Sequence, residues 1–150
     1  MSKFVYKDLE IEAFVHATES SEVVERAILL FAPQAQLKHE ALGGHFGQSL
    51  LCLRARVVEP SEIAEVMDRI RAGVGPEVAR TAAPRIDDDL RLHFRFDKQR
   101  ASRGEIALDA RPENDVVKVR VRLRSPGLNR SGAVAFVQRD FEAQARREEE

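Results

Sequence analysis

The chain carries one cysteine, one tyrosine and no tryptophan in 150 residues. A lone thiol, Cys52, excludes a disulfide framework and a multi-cysteine zinc cage, and it suits a reducing interior. No apolar run approaches the roughly 18–20 residues of a membrane span, and no basic-then-apolar leader opens the chain. Internal repeats, low-complexity tracts and Pro/Gly/Ser linkers are missing as well. The expectation is a soluble, cytoplasmic protein with one domain over residues 1–150, a core from about 8 to 141, and a frayed acidic tail at about 146–150. What the chain does have is 43% hydrophobic residues, too many for a disordered chain, and 33% charged ones.

Charge is balanced in total, with 24 Lys+Arg against 25 Asp+Glu, but not along the chain. Residues 1–84 sum to −3, residues 85–130 to +4, and residues 131–150 to −2. Such asymmetry is a better guide to partners than the sum.

Period-2 alternation predicts a first strand at about Asp8 to Ala17, with Leu9, Ile11, Ala13 and Val15 on one side. A helix follows over about Ser20 to Phe31, with Thr18 as N-cap and Pro33 closing it. Strands are expected at about Gln36–Leu42 and Leu50–Val58, joined by the glycine-rich loop Gly43–Ser49. Pro60-Ser61-Glu62 opens a second helix that ends near Gly73 and Gly75; one or two further helical turns fit between Pro76 and Pro84. Strands then fall at Leu90–Phe96, Ile106–Asp109 and Val116–Leu123, and a last helix at about Gly132–Arg146. Helices and strands mix without strict βαβ alternation. The fold class is therefore α+β: a largely antiparallel sheet, helices packed on one face, and a basic open face.

That open face carries the functional signal. Lys118, Arg120, Arg122 and Arg124 recur at spacing two, with Val117, Val119, Val121 and Leu123 pointing the other way. Arg91, His93 and Arg95 repeat the pattern against Leu92, Phe94 and Phe96, and Arg54 and Arg56 do so against Leu53, Ala55 and Val57. Like charges opposite one another on neighbouring strands repel. The ladders therefore need either acidic partners, for which Glu10, Glu12, Glu105 and Asp109 are the candidates, or a polyanion. Lys98, Arg100 and Arg103, in the polar connection from Asp97 to Glu105, continue the basic surface. Arginine predominates, which suits bidentate phosphate contact and carboxylate pairing equally.

Catalysis finds no comparable pattern. His16, His39, His45 and His93 form no HxxxH or HxH pair, so a metal site would have to assemble from distant segments. Asp87-Asp88-Asp89 reads as a turn before a strand. Cys52 sits in an apolar stretch without a sequence partner and reads as a buried thiol, not a nucleophile. No enzyme activity, metal or cofactor is expected.

Phe14-Val15-His16-Ala17-Thr18-Glu19, Gly44-His45-Phe46-Gly47, Arg85-Ile86-Asp87, and Phe96-Asp97-Lys98-Gln99 followed by Gly104-Glu105 together resemble an archaeal family described as RNA-binding proteins and predicted exosome subunits. The resemblance spans about residues 12–141. It implies a fold like that of the ribosomal large-subunit protein that binds 5S RNA, and it carries over no catalytic residue. This chain has Gln48-Ser49 where the family often has Asn-Pro, and Arg100, Ser102 and Arg103 where it often has small and aromatic residues. The expected function is non-catalytic RNA binding with weak sequence specificity, accessory to RNA processing or degradation. RNA would contact Arg54, Arg56, Arg91, Arg95, Lys98, Arg100, Arg103, Lys118, Arg120, Arg122 and Arg124. Exosome or ribosome-related proteins and a second copy of the chain are further candidate partners, and a membrane is not. The alternative is a protein-interaction module that docks through the charged sheet without RNA.

Overall fold

Alternation between apolar and charged residues builds the strands Tyr6–Val15, Arg91–Asp97 and Val116–Leu123 and the second half of Leu50–Val57 in one five-stranded sheet, whereas the edge strand Leu37–Leu42 is exposed along most of its length. The computed structural model describes residues 5–42, 50–109, 111 and 115–149, with side chains as far as Glu142. In chain order the elements are β1 (Tyr6–Val15), α1 (Ser21–Leu29), β2 (Leu37–Leu42), β3 (Leu50–Val57), α2 (Pro60–Arg80), α3 (Ala82–Arg85), β4 (Arg91–Asp97), α4 (Lys98–Ser102), β5 (Val116–Leu123) and α5 (Arg130–Glu149). The sheet order is β2-β3-β1-β5-β4, and every pairing is antiparallel. The α+β architecture with one open face is therefore as expected.

The buried side chains of β1, β3, β4 and β5 meet those of the helices in a single core. Val24, Ala27 and Ile28 come from α1, Ile63, Val66, Met67 and Ile70 from α2, and Ala133, Val137 and Phe141 from α5. Phe94 and Phe96 stack with ring centroids 5.7 Å apart, and Phe31 meets Phe96 at 4.6 Å. All the large aromatics of β4 thus point into the core, away from the open face.

β1 departs from strict alternation at one point. Asp8 has a φ of 48°, and the pairing of β1 with β5 shifts between Lys7 and Glu10. Such a bulge places one extra residue in the strand, and Asp tolerates the left-handed conformation better than most residues. Tyr6 and Leu9 are consequently both buried, while Asp8 is exposed beside them.

Four expectations change. The first helix is capped at Ser20, not Thr18. α2 runs on to Arg80 with a kink at Val74, two residues before Pro76, so the glycines mark a bend and not an end. Gly73 lets Ile106 pack close there: a Cβ would lie 3.0 Å from the Ile106 side chain, which would have to shift. The strand expected at Ile106–Asp109 is reduced to a bridge between Leu108 and Phe96. It is held along β4 by Asp97 N–H donating to Ala107 O and Asp109 N–H donating to Arg95 O, and it shields that edge. Finally, α5 continues to Glu149, past the expected end at Arg146, and Glu150 lies outside the described residues.

Candidate nucleic-acid interface

Cross-strand register decides which cations on the open face are compensated. β1 lies at the centre of the sheet and contributes Asp8, Glu10 and Glu12. Glu12 stands opposite Arg54 on β3 and Lys118 on β5, and Glu10 opposite Arg56 and Arg120. The carboxylates lean mainly toward β3. Arg54 Nε donates to Glu12 Oε2 at 3.0 Å and its Nη1 to Glu40 Oε2 at 3.1 Å, while Arg56 Nη2 donates to Asp8 Oδ1 at 3.1 Å. The ladder on β3 is therefore neutralised. On β5, Arg120 Nη2 reaches Glu10 Oε2 at 2.8 Å.

The rest of the β4–β5 half is different. Arg91 stands directly opposite Arg122, and Arg95 directly opposite Lys118. Among the described residues Arg91, Lys118, Arg122 and Arg124 take part in no salt bridge. Two cation–cation pairs on adjacent strands are unfavourable by themselves. They raise the local potential along one half of an otherwise balanced sheet. His93 is tied to Asp87 at 2.8 Å. The Asp87 side chain also accepts from the N–H groups of Asp89 and Arg91, so the acidic run forms the expected turn before β4. Of the other two acidic candidates, Glu105 is exposed and forms no salt bridge among the described residues, and the Asp109 carboxylate accepts from the Arg111 N–H.

Cys52 also belongs to the open side by parity, opposite Phe14 and Glu40, yet it is fully buried. Burial and then the nearby Glu12 charge raise its pKa, which keeps the thiol protonated.

The Asp97–Glu105 connection is not a loop extending this face. Asp97 caps α4 by accepting from the Arg100 N–H at 2.9 Å, and the helix closes on Gly104 in the left-handed region. α4 packs against α1, and Arg100 on that helix and Arg103 just after it are exposed, outside the strands of the sheet. Lys98 corrects the sequence reading more sharply: it is 6% exposed. Its ammonium donates to Phe14 O at 2.9 Å, to Glu19 Oε1 at 2.8 Å, and to Asp115 Oδ2. All three protons are used, and no phosphate can reach them. Its position accounts for the difference: Lys98 opens a short helix packed on α1, and its side chain runs inward to the backbone of β1 at Phe14.

Asp115 Oδ2 also accepts from His16 Nε2 at 2.9 Å, and the His16 N–H donates to Glu19 Oε1 at 3.0 Å. His16, Glu19 and Asp115 thereby bring ligand-type atoms within 4.8 Å of one another. No local pattern signals this cluster, whose members lie up to a hundred residues apart. The cation between its carboxylates is already present as Lys98.

A family model described as RNA binding matches residues 8–123, which spans all five strands of this sheet. The chain belongs to this RNA-binding family. An RNA-binding protein of Pyrococcus abyssi, PAB1135, is 24% identical over 147 residues, covering 91% of this chain and 94% of that one. The crystal structure of AF2318 from Archaeoglobus fulgidus, a DUF54 protein, superposes with a TM-score of 0.79 at 28% identity, covering 91% of this chain and 99% of that one. Mth689 from Methanothermobacter thermautotrophicus, also a DUF54 protein, has the same fold with a TM-score of 0.78 at 22% identity, covering 90% and 97%.

Within this RNA-binding chain, the segments that carried the resemblance have separate structural duties. His16, Glu19, Asp97 and Lys98 converge on one end of the sheet, and Asp87 organises the turn into β4. Gly44-His45-Phe46-Gly47 lies outside the described residues. Among the described residues no helix is long and apolar enough to cross a membrane.

The carboxylates at these two places make a pH prediction. Burial pushes Glu19 up, but hydrogen bonds from Lys98 and the His16 N–H outweigh it, and the net pKa is lowered from 4.5. Asp87 behaves alike: burial is outweighed by His93 and the N–H groups of Arg91 and Asp89, which lower it from 3.8. A depressed folded-state pKa contributes stability that is complete above the unfolded value and disappears as pH falls through the folded one. Unfolding free energy should therefore fall on acidification below about pH 4.5. Urea titrations of Glu19→Gln across that range should show a shallower acid limb than the wild type. An identical slope would remove Glu19 from the account.

Proposed function

We propose that the chain is a non-catalytic RNA-binding protein that holds phosphates on the β4–β5 half of its open sheet. Arg91, Lys118, Arg122 and Arg124 are the principal contacts, with Arg95 and Arg120 beside them. Arg54 and Arg56 lie within charge-neutral clusters and contribute little, Arg100 and Arg103 form a separate exposed group, and Lys98 takes no part. The observation that carries this reading is the opposition of Arg91 to Arg122, with Lys118 likewise outside any salt bridge among the described residues, in a family whose shared property is RNA binding. A polyanion relieves the repulsion that the fold retains.

Among the described residues the aromatics of β4 face inward and Phe14 alone of the strand phenylalanines lies on the open side, half-buried, so backbone and shape dominate recognition and sequence specificity is weak overall. The earlier resemblance extends this reading. It supports the proposal of a cytoplasmic accessory to RNA processing or degradation, associated with an exosome-type assembly, with a likeness to the ribosomal protein that binds 5S RNA. Dimerisation belongs to the same proposal.

Fluorescence anisotropy with labelled single-stranded and structured RNA, titrated at several salt concentrations, tests it. Micromolar or tighter binding is expected, with log affinity falling against log salt by roughly 0.7 per phosphate contact on single strands. Absence of binding at low salt would overturn the proposal and favour a protein partner, for which the charge-balanced β2–β3 half offers the surface.

A further inference from the structure

We propose that the groove between β1 and the β4–β5 half is a nucleobase subsite selective for guanine. This deepens the RNA-binding reading and rests on it. The groove has a volume of about 300 Å³ and lies on the open face. That is the lower end of the range for small-ligand pockets, about 300–1,000 Å³, and suits one base rather than a duplex. Its β1 wall is Glu10 and Glu12, and its opposite wall Arg95, Lys118 and Arg120. Phe94 and Val119 lie beneath with their side chains in the core, so strand backbone forms the floor.

Two carboxylates are misplaced on a surface that only holds phosphate, since they repel it. Their hydrogen-bonding state gives them another use. Glu12 accepts from Arg54 through Oε2, and Glu10 from Arg120 through Oε2. Among the described residues neither Oε1 has a hydrogen-bond partner, and an ionised carboxylate can only accept. One free acceptor oxygen on each of two neighbouring carboxylates calls for a ligand edge that presents a pair of N–H donors with no acceptor between them.

Of the four RNA bases guanine alone presents that pair on its Watson–Crick edge, as N1–H and the N2 amine. In adenine and cytosine the amine adjoins a ring-nitrogen acceptor, and in uracil N3–H lies between two carbonyls. Each of those would set a lone pair against the carboxylate. Guanine also offers O6 and N7 on its other edge, the acceptors that Arg and Lys recognise best. A guanine with its donors on β1 would turn these acceptors toward Lys118 and Arg95. Phosphates on either side would then fall to Arg91 and Arg122.

The test uses fluorescein-labelled oligouridine strands carrying one central guanosine, inosine, adenosine or cytidine, compared with the all-uridine strand by anisotropy. Guanosine should improve affinity by roughly tenfold over adenosine or uridine. Inosine, which keeps N1–H and lacks the N2 amine, should fall between. Glu12→Gln and Glu10→Gln, checked for folding by circular dichroism, should erase the guanosine preference. They should also bind the all-uridine strand as well as or better than the wild type, because a repelling charge is gone. Equal wild-type affinity for every strand would overturn the guanine subsite and leave RNA binding standing. Failure of every strand to bind would overturn both. A guanosine preference that survives in both variants would overturn the assignment to these carboxylates.

Discussion

Lys98→Met is expected to lower the unfolding free energy by about 3 kcal/mol, the low end of the cost of stripping one member from a buried ion cluster. Methionine keeps the length of the stem and removes the ammonium, so packing changes little and the electrostatic loss dominates. Phe14 O, Glu19 and Asp115 then lose their shared donor. The low end applies because the carboxylate side chains are 30% and 33% exposed and recover some hydration, whereas the lysine side chain is 7% exposed. Urea unfolding reads the effect, with the midpoint falling and the slope unchanged. Adding Glu19→Gln to Lys98→Met should restore part of the loss, because one uncompensated charge has gone. A loss under about 1 kcal/mol would reduce the cluster to an ordinary surface pair.

The second large effect concerns binding. Lys118→Glu combined with Arg122→Glu should weaken RNA affinity by well over tenfold and reduce the salt slope by roughly 1.4, the share of two contacts on a single strand. Arg54→Gln with Arg56→Gln should change affinity far less, since those cations are engaged by Glu12, Glu40 and Asp8. Equal losses in the two double variants would spread the site over the whole sheet. Stability should move little in the charge-reversed protein. Each introduced glutamate gains an attractive cross-strand partner on β4, Arg95 or Arg91, and the one replacing Lys118 also meets the like charge of Glu12 on β1. Thermal unfolding should therefore stay close to that of the wild type, which separates the loss of binding from a loss of fold.

Alternation in a sequence conveys which face a side chain takes, and not which strand stands beside it. Side-chain parity is local, so the ladders at Arg54, Arg91 and Lys118, the core residues opposite them and the open face were all legible. Pairing between ladders is not local. Which cations Asp8, Glu10 and Glu12 neutralise depends on β1 lying between β3 and β5, and strand order does not follow from composition. Lys98 illustrates the limit most clearly. Its neighbours Arg100 and Arg103 make the segment look like a basic loop, but Glu19 is 79 residues away and marks it as buried. One local cue was available: Asp97, an N-cap residue three positions before Arg100, announces a short helix. The bend at Val74 likewise sits where Gly73, Gly75 and Pro76 suggested a stop, because tertiary packing against α5 carries the helix through.

The sheet order has a consequence for how the protein is made. β1 occupies the middle, yet β5, its partner on one side, follows β3, its partner on the other, by 59 residues (from Val57 to Val116). At about 5–20 residues per second, the ribosome would separate the two pairings by roughly 3–12 s. During that interval the nascent chain holds a charge-balanced three-stranded half with an unfilled edge on its central strand. The cationic half arrives last, so the surface proposed to hold RNA forms only after the rest of the sheet has emerged beside ribosomal RNA.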